Sequence, residues 1–210
     1  MSRLMKWVIV IIAIVALLAG VQFSKHYFAS TASQNAISGT VFSPPQPIAS
    51  FSLIDTKGRP FNNDSLWGHW TLLFFGFTQC AQVCPPTLNN LNNFYRILLQ
   101  KRQNPMPQVV FVSVDPAHDT LDILGKYVAG FNPHFQGVTG DKMQLDKLAA
   151  SVNVLYASQH TSSAKETMAI DHSGSILLID PAGKLAAIFS PPHDSVLLVK
   201  DFQTIVTNSG

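Results

Sequence analysis

The chain has 210 residues, with 14 lysine and arginine residues, 12 aspartate and glutamate residues and a formal net charge of +2. Arg3 and Lys6 are the charged residues of the first 23 positions, so the remainder carries 12 charges of each sign. Because phosphate neutralisation dominates nucleic-acid binding, this neutral remainder argues against a nucleic-acid partner. The length allows one domain with an extra segment.

The N-terminal segment predicts a membrane anchor. Trp7 to Val21 contains no charged or strongly polar residue. This run is short for a spanning helix, which needs about 17–25 residues, and long for the core of a signal peptide, which has about 7–15. We interpret residues 1–6 as cytoplasmic and residues 7–23 as a single transmembrane helix, with cleavage as the alternative. The positive-inside rule then places the rest in the periplasm, with the protein tethered to a bacterial inner membrane.

Residues 24–47 predict a flexible spacer, because they are small and polar and end in the proline-rich run Ser43-Pro44-Pro45-Gln46-Pro47. The folded domain is expected over residues 48–210. It opens with two short alternating segments, residues 51–55 and 57–61, which predict an N-terminal β-hairpin.

The rest of the domain alternates between strand and helix patterns. The apolar runs Thr71 to Phe77 and Gln108 to Val114 predict two strands that are covered on both faces. Helical spacing predicts helices, and a turn between two apolar runs predicts a second hairpin. These elements are helices at 85–103, 120–129, 141–152 and 195–206 and the hairpin at 175–189. The order of elements is that of a thioredoxin-like α/β sandwich.

Cys80 and Cys84 are the only cysteines, and they lie between the first buried strand and a helix that starts near Pro85. A helix start lowers the pKa of a thiol, so both sulfurs are expected to be thiolate-like. The spacing keeps both within chelating distance of one ion and also permits a disulfide. An oxidising compartment suits such a pair. The alternative interpretation is a purely structural disulfide. It is disfavoured because a disulfide that closes so short a loop adds little stability to the folded state.

A third donor is expected from His172, which lies shortly before the predicted strand at Ser175. In a thioredoxin-like sheet the start of that strand packs against the turn that carries the cysteines. Thioredoxins place a cis-proline there, which would exclude a metal, whereas this chain has a histidine. Two thiolates and one imidazole suit Cu(I) and are incomplete for a structural zinc site. An added water or carboxylate would complete a site for Cu(II).

Several motifs together resemble the Sco/SenC family of copper proteins. They are Phe75-Gly76-Phe77-Thr78-Gln79-Cys80-x3-Cys84-Pro85, Val112-Ser113-Val114-Asp115-Pro116 with Asp119-Thr120, Gly137-Val138-Thr139-Gly140, and Asp171-His172-Ser173 with Asp180-Pro181-x-Gly183. The resemblance runs from about Pro47 to the C-terminus. It implies a thioredoxin-like domain that binds Cu(I) or Cu(II) through Cys80, Cys84 and His172. It also implies delivery of copper to the CuA centre of cytochrome c oxidase, or reduction of that centre's cysteines.

The chain departs from the family pattern near the expected site. Gln82 stands between the cysteines where the family usually has an aspartate, and the missing negative charge favours Cu(I) over Cu(II). His118 stands where an arginine is common. Asp115 ends a strand near the site and is interpreted either as a residue that orients a ligand or as a turn former. Met168 is interpreted as a packing residue.

Two functions are compatible with these residues. The first is a metallochaperone, not an enzyme in the usual sense, which receives copper from an upstream donor and passes it to the CuA-bearing oxidase subunit or another cuproprotein. The alternative is a thiol–disulfide oxidoreductase, in which one of Cys80 and Cys84 attacks a substrate disulfide and the other resolves it. Either role needs a thiol reductant. A peroxidase is disfavoured, because no arginine lies in the motif near Thr78.

Overall fold

The computed structural model describes residues 5, 7, 12, 14–17, 20, 37–154 and 174–209. The chain divides into two compact units, residues 1–36 and residues 37–210. The second unit contains the predicted thioredoxin-like domain.

The transmembrane helix predicted over residues 7–23 is wrong. Among the residues that the structure describes, no helix is long and apolar enough to cross a membrane. The physical reason lies in the length of the apolar run, because residues 7–21 fall short of the roughly 20 apolar residues that the hydrocarbon core requires. Residues 8–11, 13, 18, 19 and 21–23 of that prediction, and residues 1–4 and 6 of the predicted cytoplasmic segment, lie outside the described residues.

The second unit is built on an eight-stranded mixed sheet. Its strands are β1 (Thr40–Pro47), β2 (Ser52–Asp55), β3 (Pro60–Asn62), β4 (Thr71–Gly76), β5 (Gln108–Ser113), β6 (Gln136–Thr139), β7 (Ile176–Ile179) and β8 (Lys184–Phe189). Their order across the sheet is β1-β8-β7-β4-β5-β6-β2-β3. β4, β5 and β6 are parallel, and the other pairs are antiparallel. The predicted N-terminal hairpin is β2 and β3.

Four α-helices accompany the sheet in the described part of this unit: α1 (Cys84–Gln100), α2 (Leu121–Phe131), α3 (Lys142–Ser151) and α4 (Ser195–Asn208). α1 and α2 make the crossovers that join the parallel strands β4, β5 and β6. The first residues of α2, α3 and α4 are capped by the side chains of Thr120, Asp141 and Asp194. The predicted α/β architecture with a thioredoxin-like sheet is confirmed.

The sheet buries its centre between helices. Every residue of β4 is buried, as the unbroken apolar run Thr71 to Phe77 predicts. On one face, the ring of Phe94 from α1 meets the ring of Phe202 from α4 with centroids 5.7 Å apart. Because β4 lies between β5 and β7, the loop that follows it starts at the centre of the sheet.

β1 lies within the segment that the sequence predicts as a spacer. It pairs antiparallel with β8, with a register shift between Val41 and Gln46. The prolines in this segment argue against a strand in the sequence, but β1 lies at the edge of the sheet. A proline there can direct its missing N–H to the side that has no neighbouring strand, so no hydrogen bond between strands is lost. The folded domain therefore begins before Ile48. Residues 24–36 of the predicted spacer lie outside the described residues.

Candidate metal centre

The connection between β4 and α1 carries both cysteines. The N–H of Cys80 donates to the carbonyl of Phe77 at 3.2 Å, which closes a tight turn directly after the strand. α1 then begins at Cys84 itself, and the two prolines that follow it lie in the first helical turn, where their missing N–H groups cost nothing. The fold thus presents the two cysteines at the end of the central strand and at the start of a helix.

The two cysteine side chains are in contact and form no disulfide. Cys84 has no exposed surface, and Cys80 is 7% exposed. The N–H of Cys84 donates to the sulfur of Cys80 at 3.3 Å, and the two side chains are hydrogen-bonded to each other. The residues between them, from Ala81 to Val83, are exposed. The thiols therefore lie just beneath a short exposed loop.

Burial raises the pKa of Cys84 far above the ordinary value for a thiol. The hydrogen bond to the Cys80 side chain raises this pKa further, a backbone hydrogen bond to Phe77 lowers it, and the charges of Cys80 and Asp119 raise it. The prediction of a thiolate-like sulfur is therefore wrong for Cys84, because desolvation of the charged form outweighs the helix start. In the metal-free protein at neutral pH, Cys84 carries its proton.

Gly76, the last residue of β4, makes room for the sulfur of Cys84. A Cβ at this position would lie 2.6 Å from that sulfur and 2.7 Å from ring atom Cε2 of Phe111. Real Cβ atoms essentially never approach other heavy atoms this closely. The glycine of the Phe-Gly-Phe motif is thus required by the packing of Cys84 against the sheet.

Asp119 ties the cysteine loop to the neighbouring strand. Its carboxylate is buried and accepts hydrogen bonds from the N–H of Thr78 at 3.0 Å, the hydroxyl of Thr78 at 2.5 Å and the hydroxyl of Ser113 at 2.5 Å. Thr78 lies in the loop, and Ser113 ends β5. In the sequence Asp119 stands only within a motif and carries no predicted role, and its spacing from the end of β5 is the signal that could have assigned it one.

Asp115, which sequence analysis proposed as an orienting residue, makes its observed contacts within its own turn. Its carboxylate is bonded to Nδ1 of His118 at 2.8 Å and 3.0 Å, and its backbone carbonyl accepts from the N–H groups of His118 and Asp119. These contacts fit the turn-forming interpretation. Its role in orienting a ligand stays a prediction.

His172, Asp171 and Met168 lie outside the described residues, which resume at Gly174. Gly174 has φ +60°, and a Cβ there would lie 3.0 Å from the Val83 side chain. Nε2 of His193 donates to the carbonyl of Gly174 at 2.7 Å, and burial lowers the pKa of that histidine. Gly174, the first residue described after this gap, therefore lies against the loop between the cysteines.

Comparison with known proteins establishes the family. The model of the SCO1/SenC family matches residues 43–207. This chain belongs to the SCO1/SenC family. The match includes β4, the cysteine loop, α1, α2 and α3, and α4 up to residue 207.

Relatives of this SCO1/SenC protein share its fold. The SCO2-like protein of Rickettsia prowazekii is 39% identical over 134 residues, which are 64% of this chain and 64% of that protein, so less than two thirds of the relative is matched. Arabidopsis thaliana ScoI, whose crystal structure has copper bound, matches with a TM-score of 0.69 and 29% identity over 77% of this chain and 98% of that chain. Apo Sco1 from Thermus thermophilus matches with a TM-score of 0.72 and 31% identity over 83% and 99%.

The donor set of this SCO1/SenC chain fits a soft ion in part. Two thiols in contact, buried at the end of an apolar strand, are ligands that Cu(I) prefers. Within residues 37–154 and 174–209, no group of three or more His, Cys, Asp or Glu side chains is arranged to hold a metal. The described site therefore supplies two sulfur donors, Cys80 and Cys84.

Proposed function

We propose that this protein is a copper metallochaperone that binds Cu(I) through Cys80, Cys84 and His172 and delivers the metal for assembly of the CuA site of cytochrome c oxidase. The observation that carries the proposal is the contact between two buried, reduced thiols at the end of the central strand. The family membership and the copper-bound relative support the choice of metal. Cu(II) is a second state of the same site, completed by a water or a carboxylate.

The position of Gly174 supports His172 as the third ligand. Gly174 packs against Val83, which is the residue before Cys84. Two residues of chain span at most about 7 Å, so residue 172 is close enough in sequence for its imidazole to approach the thiols. Its imidazole and the two sulfurs make the three-donor set that sequence analysis proposes. Three ligands leave a position open for a donor from the recipient protein.

The chain's own groups suggest how loading and release proceed. Cys84 enters the reaction as a neutral thiol, so binding of Cu(I) expels its proton. Asp119, through Thr78, keeps the loop in place while the sulfurs take up the ion. In release, thiolates and imidazoles of the recipient replace the ligands one at a time. Oxidation to a Cys80–Cys84 disulfide removes both sulfur donors, so redox state controls loading.

We further propose that the domain acts outside the cytoplasm, in the bacterial periplasm. A dithiol that can close to a disulfide needs a reductant in that compartment, and copper has to come from an upstream donor. The recipient is the CuA-bearing subunit of the oxidase or another cuproprotein that offers thiolates and imidazoles.

Anaerobic titration with Cu(I), in competition with a chromophoric chelator, tests the proposal. The reduced protein is expected to bind one equivalent tightly, and Cys80→Ser, Cys84→Ser and His172→Ala are each expected to lose most of that affinity. His69→Ala is the matched control, because His69 is exposed in the connection before β4. Retention of full affinity in any of the three ligand variants contradicts the ligand set.

A second function, thiol–disulfide exchange, is favoured by the asymmetry of the pair. Cys80 is the more exposed cysteine and receives the N–H of Cys84 at the start of α1, so we propose it as the attacking sulfur and Cys84 as the resolving one. A disulfide-containing peptide tests this directly. Under this function Cys80→Ser abolishes the exchange and Cys84→Ser traps a mixed disulfide, while His172→Ala leaves the rate unchanged.

A further inference from the structure

The hydroxyl of Tyr127 has no hydrogen-bond partner in the described structure, although its oxygen is buried. Among the described residues, no other buried side-chain oxygen or nitrogen lacks a hydrogen-bond partner. Tyr127 belongs to α2, and its ring packs against Phe111 and Phe131 with centroids 5.6 Å and 5.2 Å away. A buried donor without an acceptor is costly and rare in native proteins, so it calls for a physical reason.

Phe111 connects Tyr127 to the cysteine site by packing. Its ring contacts the Tyr127 ring, and its Cε2 atom and the Cys84 sulfur lie 2.7 Å and 2.6 Å from the position that a Cβ on Gly76 would occupy. Burial raises the pKa of the Tyr127 hydroxyl, and Cys84, Cys80 and Asp119 raise it further when they are negatively charged. The hydroxyl thus stays protonated and remains a donor at any pH at which the protein works.

The acceptors near this donor change when a metal binds. A thiol sulfur is only a weak hydrogen-bond acceptor. A metal-bound cysteine is a thiolate, whose negative charge makes it a much stronger acceptor, above all in buried surroundings. A metal-bound Cys84 thiolate is therefore a suitable acceptor for the Tyr127 hydroxyl, which has no partner in the described structure.

We propose that the Tyr127 hydroxyl donates a hydrogen bond to the sulfur of Cys84 when that sulfur is a metal-bound thiolate. This inference rests on the proposed function and adds a positioning residue to it. Tyr127 does not bind the metal. It stabilises the charged sulfur that does, in the way that partners of metal ligands tune affinity in other metal sites.

Tyr127→Phe is the test, because it removes only the hydroxyl and keeps the ring that packs on Phe111. Tyr95→Phe is the matched control: Tyr95 is also half-buried, but its ring stacks on His134 with centroids 5.7 Å apart. Two quantities are measured for both variants and for the unaltered protein. The first is the melting temperature of the reduced, metal-free protein, and the second is the affinity for Cu(I) and for Cd(II), whose sulfur-to-metal absorption reports thiolate binding directly.

In Tyr127→Phe we expect a metal-free melting temperature that is unchanged or higher, because the variant loses an unsatisfied buried hydroxyl. We expect the affinity for both ions to fall by about ten- to one-hundredfold. Tyr95→Phe is expected to leave the affinities unchanged. A hydroxyl that merely supports the fold gives a different pattern, in which the metal-free protein loses stability and the affinities stay the same.

The outcomes separate this inference from the proposed function. If the unaltered protein binds neither ion, the proposed function is overturned, and the inference with it. If it binds both ions and Tyr127→Phe binds them equally tightly, only the inference is overturned. A clear fall in the metal-free melting temperature of Tyr127→Phe also overturns it, because the hydroxyl then has a partner in the unloaded state.

Discussion

The sulfur of Cys84 lies 2.6 Å from the position that a Cβ on Gly76 would occupy. The cysteine that starts α1 is therefore packed directly on the backbone of the last residue of β4. This relationship links the site to the core of the fold, because any side chain at residue 76 has to move the sulfur or the Phe111 ring. It also explains why the loop between strand and helix holds Cys84 without exposed surface.

Gly76→Ala is expected to weaken Cu(I) binding strongly and to destabilise the reduced protein by about 1–3 kcal/mol, the usual cost of overpacking a core. The added methyl group displaces the Cys84 sulfur or the Phe111 ring. Chelator competition and urea unfolding measure the two effects. Gly130→Ala in α2 is the control, since nothing lies within 4 Å of its added Cβ, and it should leave copper binding unchanged. Normal copper affinity in Gly76→Ala would contradict the packing argument.

Asp119→Asn is expected to loosen the cysteine loop. The carboxylate accepts three hydrogen bonds, two of them from Thr78, and an uncharged amide replaces charge-assisted bonds with weaker ones. We expect a loss of about 1–3 kcal/mol in the free energy of unfolding and a lower pKa of Cys84, because the charge of Asp119 helps to raise that pKa. The pH profile of thiol alkylation measures the second effect.

Asp115→Asn is the matched control for Asp119→Asn. Asp115 is also buried, but its carboxylate bonds to His118 and not to the cysteine loop. The control is therefore expected to leave the alkylation profile unchanged. An equal shift in both variants would show that Asp115 also acts on the thiols and would contradict its use as a control.

The sequence predicted the features of this fold that depend on local pattern. The unbroken apolar run at Thr71 and the leucine spacing after Cys84 are local signals, and β4 and α1 lie where these signals place them. β1 was not predicted, because its prolines are compatible with a strand only at the edge of a sheet, and edge position is a property of the assembled fold.

The sequence was sufficient to predict which residue types form the site. It was not sufficient to predict how the fold shifts their pKa values. The four-residue spacing of the cysteines indicated a chelating pair, and the two side chains are in contact. The direction of the Cys84 pKa shift was not predictable, because the helix start is visible in sequence while the depth of burial is not. Asp119 was missed as a contact of the loop for the same reason, since residues 78 and 119 meet only in the folded chain.

The stability of the reduced protein is expected to fall above about pH 8.5, the pKa of an exposed thiol in the unfolded chain. Burial raises the pKa of Cys84 in the folded state, so at higher pH the unfolded chain loses a proton that the folded protein keeps. The folded-state advantage is complete below the unfolded pKa and is lost as pH rises towards the folded pKa, by about 1.4 kcal/mol for each pH unit.

Urea unfolding of the reduced protein from pH 7 to pH 10 measures this dependence. Cys84→Ser provides the comparison, because serine does not titrate in this range, and its stability should fall less steeply with pH. Parallel curves for the two proteins would mean that Cys84 titrates normally in the folded state.

His193→Ala is expected to lower the Cu(I) affinity several-fold while leaving the two cysteines reduced and accessible as before. Nε2 of His193 donates to the carbonyl of Gly174, which lies against Val83 in the cysteine loop, so the histidine fixes the chain next to the segment that carries the proposed ligand His172. His193→Gln retains an N–H donor and is expected to restore part of the affinity. The Cu(II)–thiolate absorption band should weaken in the alanine variant, because the third donor is less well placed. Equal affinities in the alanine, glutamine and unaltered proteins would show that the bond to Gly174 has no influence on the metal site.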